Sequence, residues 1–141
     1  MEAEEAGLPE RYRKIPPRVN IAREVLDRWF PDRRGKGAGE EGEGEGGPGF
    51  GDRTAFIHAD GEISYSELRS GVDRLARGLL TRGVSRGAPI LLRMPNCPEF
   101  VASFLALVKI GALPVLLTSL LGTEEAAYVL EHSDARGAIT L

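Results

Sequence analysis

Residues 99–121 read EFVASFLALVKIGALPVLLTSLL, a largely apolar run with one lysine, Lys109, and with Gly111 and Pro114 near its middle. It is either one membrane span or two core elements, and the choice decides the fold. Length alone permits a span, since roughly 20 apolar residues in a helix cross a hydrocarbon layer of about 30 Å. The interruptions argue against it. A charge is costly there, proline breaks a helix, and the residues that follow, LPVLLTSLL, favour extended structure. The stretch reads as a buried helix, a turn and a buried parallel strand. Before it, Asn96 is placed to cap the first turn, Pro98 sits where no amide is needed, and Glu99 is placed to reach back to the cap amide. Gly111 supplies the stop.

Working outward, the same alternation repeats. Strand PILLR starts at Pro89, a helix at Cys97, strand LPVLL at Leu113, helix EEAAYVLEHS at Glu124 and strand GAITL at Gly137. The strand starts are 24 residues apart, a spacing that suits right-handed β-α-β crossovers and a parallel sheet covered by helices. Upstream, RTAFIHADGEISYSEL carries Asp60-Gly61 between two short apolar stretches, which predicts a hairpin. The period then changes. Ser64 and Glu67 form a capping box, and Leu68, Val72, Leu75, Ala76 and Leu79 mark one face of a helix that stops at Gly83. The predicted class is α/β: a hairpin followed by a β-α-β-α-β parallel sheet over residues 53–141. A sheet whose third strand runs to Leu141 reads as the first part of a larger domain.

The N-terminal third is organised differently. Residues 1–19 are mostly polar and predict an extended arm. Asn20 can cap a helix over 20–30, in which Ile21, Val25, Leu26 and Trp29 recur at helical spacing and Pro31 ends the pattern. Residues 31–52 form a linker, and the stretch 35–51 holds nine of the 18 glycines together with four glutamates. Such a segment buries too little apolar surface to offset its chain entropy, so mobility is expected of it.

With 141 residues, 42% of them hydrophobic and 28% charged, the chain has the composition of one soluble globular domain. A net charge of -3 and a pI near 5.5 give no basic surface for a phosphate backbone, and the short clusters Arg11, Arg13, Lys14, Arg18 and Arg33, Arg34, Lys36 read as solvated tail. Cys97 has no cysteine to pair with, and the first residues lack an apolar leader, so the cytoplasm is the expected compartment.

Chemistry is sparse. The dinucleotide pattern G-x-G-x-x-G occurs at Gly37, Gly39, Gly42, at Gly42, Gly44, Gly47 and at Gly44, Gly46, Gly49, but no strand precedes it and no helix follows. Glu40, Glu41, Glu43 and Glu45 would also repel phosphate. Cys97 at a helix start reads as a packed small residue rather than a nucleophile, and His58 and His132 as too isolated for a metal pair. HSD, residues 132–134, reads as a helix end and a turn rather than a hydrolase triad. TSLLGTEE, residues 118–125, places hydroxyls and a glycine at a strand-to-helix junction, where ligands of open sheets bind, although Thr123 as a helix cap accounts for it.

Four segments together carry a resemblance: VNIAREVLDRWF, DRTAFIHADGEISYSELRSGVDRLARGLLTRGVSRG, ILLRMPNCPEFVASFLALVKIGALPV and AAYVLEHSDARGAIT. In this order they resemble the N-terminal part of the adenylate-forming acyl-CoA and aryl-CoA synthetases, and LLRMPNCPEF with LLTSLLGTEEAAYVLEHS is most similar to the benzoate-type and 2-aminobenzoate-type CoA ligases. The resemblance implies an incomplete piece of a larger domain. In the complete enzyme a carboxylate and ATP would give an acyl-adenylate, and coenzyme A would then displace AMP; magnesium, ATP, coenzyme A, a carboxylic acid and the remainder of the ligase are the implied cofactors and partners. The family's phosphate loop, adenine and ribose motifs, hinge and catalytic lysine have no counterpart among these residues, so no catalytic, cofactor-binding or metal residue is carried over. Two other readings compete: a free-standing non-catalytic α/β binding module, such as a ligase-gene remnant, and a small nucleotide-binding or receiver-like domain, which lacks the acidic cluster at its strand ends.

Overall fold

The computed structural model describes residues 18–27, 30 and 50–141. Residues 1–17 of the expected arm, Trp29, Pro31 and the glycine-rich stretch up to Gly49 lie outside the described residues.

Helix α1 spans Ile21–Val25 and a 3-10 turn spans Phe50–Asp52. Strands β1, Thr54–His58, and β2, Gly61–Ser64, form an antiparallel hairpin leading into α2, Tyr65–Thr81. Then follow β3 (Pro89–Met94), α3 (Pro98–Ile110), β4 (Leu113–Thr118), α4 (Thr123–His132) and β5 (Ala138–Thr140). The second sheet is parallel, in the order β4-β3-β5, with Leu92 opposite Leu116 on one side and Ile139 on the other. The long apolar run is thus a helix and a strand, and among the described residues no helix is long and apolar enough to cross a membrane.

The core lies between α1, α2, α3 and one face of this sheet. Ala22 and Leu26 of the first segment, Leu68, Val72, Ala76 and Leu79 of α2, Leu105, Ala106 and Leu107 of α3, and Ile90 of β3 are buried in one cluster. Each fully buried leucine or valine contributes roughly 2 kcal/mol by leaving water, and Leu26, Val72, Leu92 and Leu107 are of that kind. The hairpin delivers α2 with its cap already made. The Ser64 hydroxyl accepts from the Glu67 amide at 3.3 Å, while the Glu67 carboxylate accepts from the Ser64 amide at 2.8 Å. At the end of the glycine-rich stretch Phe50 packs edge-on to Phe30 and tilted on Tyr65, and a side chain at Gly51 would run into the Ser66 hydroxyl.

Several expectations shift by a residue or a face. In α1, Asn20 caps as expected, accepting from the Arg23 amide at 3.2 Å, and Leu26 is buried as expected, but its buried companion is Ala22. Ile21 and Val25 are about half exposed, at 51% and 44%. The reason is tertiary: the Asn20 side-chain amide donates to the Val108 carbonyl at 2.9 Å, which sets how the short helix lies against the end of α3. In the hairpin, His58 pairs with Gly61, so the turn is Ala59-Asp60 and Gly61 opens β2 at φ 136°. Only Gly61 there needs a conformation that other residues avoid. The N-cap of α3 is Cys97, with Pro98 in the first turn, so Asn96 lies one residue outside the cap.

Lys109, the charge in the apolar run, is held among acids. Its Nζ lies 2.8 Å from Asp27 Oδ1 and 2.7 Å from Asp73 Oδ1. Arg69 reaches the same Asp27 oxygen at 3.4 Å and stacks over Phe30. Burial alone would lower the Lys109 pKa, but the hydrogen bonds and charges of Asp27 and Asp73 outweigh it and hold the ammonium above its ordinary value. The cluster joins three segments of the chain.

Candidate functional site at the strand ends

From β3 the chain crosses to β4 on one side and then returns past β3 to β5 on the other. Two crossovers of the same hand travelling in opposite directions put their helices on opposite faces of the sheet. The connections leaving β3 and β4 therefore diverge, and the crevice between residues 95–97 and 119–122 is where open α/β sheets receive ligands.

Arg93 organises this crevice. It alternates with Ile90 and Leu92 to the opposite face of the sheet, and its Nη2 donates to the Ser119 carbonyl at 3.1 Å and to the Leu121 carbonyl at 2.8 Å. Its Nε is buried without a hydrogen-bond partner among the described residues. The guanidinium is thus committed to holding the loop before α4. Within that loop the Thr118 hydroxyl accepts from the Leu120 amide at 3.3 Å. The helix begins one residue earlier than expected, with Gly122 at the N-cap and no side-chain cap. Thr123 is therefore the first helical residue and not the cap. A threonine one position inside the helix has the wrong backbone geometry to turn its hydroxyl back on the free amides.

Both helix starts at the crevice carry their own acids. Glu124 and Glu125 occupy the first turn of α4, and the Glu125 carboxylate folds back to within 2.9 Å of where a Gly122 Cβ would stand. At α3, Glu99 is held below its ordinary pKa, first by its own backbone amide and then by the Cys97 thiol. Asn96 makes no cap, and Glu99 meets its own amide and the Cys97 thiol rather than the cap amide. Carboxylates here satisfy the positive helix ends that would otherwise attract phosphate. Among the described residues no group of three His, Cys, Asp or Glu could hold a metal ion.

The remaining candidates sort plainly. Tertiary structure brings His58 close enough to Glu99 to lower its pKa slightly, a proximity across 41 positions that no local spacing announces. The thiol of Cys97 nevertheless meets the carboxylate and not the imidazole, whose Nδ1 accepts from the Asp60 amide at 3.3 Å. His132 stacks on Tyr128, the Ser133 hydroxyl donates to the Leu130 carbonyl at 3.4 Å, and Asp134 turns the chain at φ 52°. HSD is a helix end and a turn. A shallow groove of about 460 Å³ along α2, lined by Gly71, Arg74, Leu75, Gly78, Leu79 and Arg82, has no acid, hydroxyl or thiol in its wall.

Known proteins share this architecture. The model of the family described as AMP-binding enzyme matches residues 46–141. A crotonobetaine/carnitine–CoA ligase of Citrobacter koseri is 34% identical over 96 residues, covering 64% of this chain and 19% of that protein. A 3-hydroxybenzoate–CoA/4-hydroxybenzoate–CoA ligase of Thauera aromatica is 35% identical over 88 residues, covering 62% and 17%. Among solved structures, a benzoate CoA ligase from Burkholderia xenovorans LB400 superposes with a TM-score of 0.63 at 33% identity, covering 66% of this chain and 19% of that one. The chain spans about a fifth of the length of the curated relatives it matches.

Proposed function

Because the chain belongs to the AMP-binding enzyme family and matches its N-terminal part, we propose that it serves as the N-terminal scaffold of an ATP-dependent ligase that joins a carboxylic acid to coenzyme A. The observation that carries this reading is the superposition of hairpin, α2 and parallel sheet on a benzoate CoA ligase at 33% identity. In the complete enzyme the acid would be adenylated and then passed to a thiol. This chain's part is structural: Arg93 holds the loop that would wall one side of the strand-end crevice, and the three-helix core fixes the sheet behind it. The aromatic-acid relatives favour an aryl carboxylate, whereas the carnitine-type relatives favour an aliphatic one, so the substrate class is a small carboxylic acid.

The test is carboxylate-dependent exchange of pyrophosphate into ATP. The isolated chain is expected to stay at background with benzoate and other acids. A chimera in which this chain replaces the matching segment of the Burkholderia ligase is expected to exchange. Exchange by the isolated chain would show that these residues do carry the chemistry, and a folded but inactive chimera would sink the scaffold reading.

A further inference from the structure

The groove along α2 follows one stripe of that helix. Gly71, Leu75, Gly78 and Arg82, all in its wall, recur at steps of three and four residues, and Glu67 continues the stripe one turn toward the N-terminus. Glycine inside a helix weakens it relative to alanine. Here nothing stands within 4 Å of a Cβ added at Gly71 or at Gly78, so no contact among the described residues requires either position to be bare. The charges at the two ends of the stripe are also unspent. Arg82 is exposed and has no ion pair among the described residues. Glu67 uses only Oε2 for the Ser64 amide and hydroxyl, which leaves Oε1 free to accept.

The stripe is complementary to itself. Glu67 with Arg82, and Gly71 with Gly78, are two pairs centred on the same point of the helix, between Arg74 and Leu75. When two copies of α2 lie antiparallel about a twofold axis through that point, Glu67 of each faces Arg82 of the other and Gly71 faces Gly78. An interface in which one residue meets a second, and the second meets the first, is what a twofold dimer requires. The seam is about 22 Å long at the rise of an α-helix, and bare backbone at both glycine pairs lets the two helix axes approach closely.

We infer that the α2 groove is the docking surface for a second copy of this chain, helix against antiparallel helix, with two Glu67–Arg82 pairs fixing the register. Charge complementarity identifies the occupant: a copy of α2 brings a carboxylate to each Arg82 and an arginine to each Glu67. The two Arg74 side chains, exposed at the rim close to the axis, repel one another and keep the dimer weak. The inference stands independently of the ligase reading.

Analytical ultracentrifugation of the full chain, from micromolar to submillimolar concentration, is expected to show reversible monomer–dimer exchange. Gly78→Leu should weaken the dimer at least tenfold while the thermal melt of the dilute monomer stays at or above that of the wild type, because the added Cβ meets nothing in its own chain. Arg82→Glu should weaken it as much, since two carboxylates then face each other at each end. Ile57→Lys, at a site 80% exposed on β1, should leave it unchanged. Arg82→Glu chains and Glu67→Arg chains, each monomeric alone, should pair one-to-one when mixed, because opposite charges then meet again at both ends. Glu67→Arg forfeits the Ser64 cap, so circular dichroism checks its fold; if it does not fold, Gly78→Leu and Arg82→Glu decide. A wild type that stays monomeric at every concentration leaves the groove to another occupant and overturns the proposal. So does a dimer that either Gly78→Leu or Arg82→Glu leaves intact, or a mixture of folded charge-swapped chains that does not pair.

Discussion

At the scale of single residues, two glycines in helical settings have opposite worth. Gly111 ends α3 at φ 78°, where a side chain would be strained and its Cβ would stand 3.1 Å from the Arg86 stem. Gly78 lies inside α2 with nothing within 4 Å of an added Cβ. Gly111→Ala is therefore expected to cost about 1–2 kcal/mol, and Gly78→Ala to add about 0.5–1 kcal/mol. Urea denaturation of the two variants checks the contrast; equal effects would mean that backbone conformation is not the deciding factor. Gly111 as a stop was legible because only glycine takes that conformation at no cost. The caps of α3 and α4 were legible only to within one residue. Asn96 and Thr123 have the right side chains for capping, but the cap falls where the backbone leaves the extended region, at Cys97 and Gly122.

Among the elements, α2 follows most directly from its own sequence. Its apolar stripe, capping box and terminal Gly83 all agree, and the buried residues are Leu68, Val72, Ala76 and Leu79. The cap predicts an acid sensitivity. Glu67 is held below its ordinary pKa, first by the Ser64 backbone amide and then by the Ser64 hydroxyl. A carboxylate with a depressed folded pKa contributes stability that is present above its unfolded value of 4.5 and is lost as pH falls through the lower folded value. Ser64→Ala should cost about 1 kcal/mol at neutral pH, and its deficit against the wild type should shrink below that range. Thermal melts between neutral and acid pH decide this, and a deficit that does not change with pH would remove Glu67 from the account. Helix α1 shows the opposite case. It is too short for its own pattern to choose a face, and with the Asn20 contact to Val108 it buries Ala22 beside the expected Leu26 while Ile21 and Val25 stay half exposed.

Across the whole molecule, Lys109 ties α3 to α2 through Asp73 and to the N-terminal segment through Asp27, which is 82 positions away. Removing the cation leaves two partly buried aspartates facing each other, so Lys109→Met is expected to destabilise by about 1–3 kcal/mol, with part recovered by adding Asp27→Asn and Asp73→Asn. Because the folded lysine pKa is raised, its contribution is fully present below the unfolded value of 10.5 and is lost as pH climbs through the folded one. Denaturation at neutral and alkaline pH measures this, and an unaffected Lys109→Met would show the cluster to be a surface decoration. The sequence by itself determined the kinds of element and their order, since glycine stops, the capping box and the spacing of three apolar strands are local signals written within a few residues. The tertiary structure alone decided that β3 lies between β4 and β5, that β4 is the outermost strand among the described residues, that Arg93 spends its charge on the loop carbonyls, and that Lys109 meets two acids. Each of those depends on contacts between residues far apart in the chain, and no local period encodes which distant partner a strand or a charge will find.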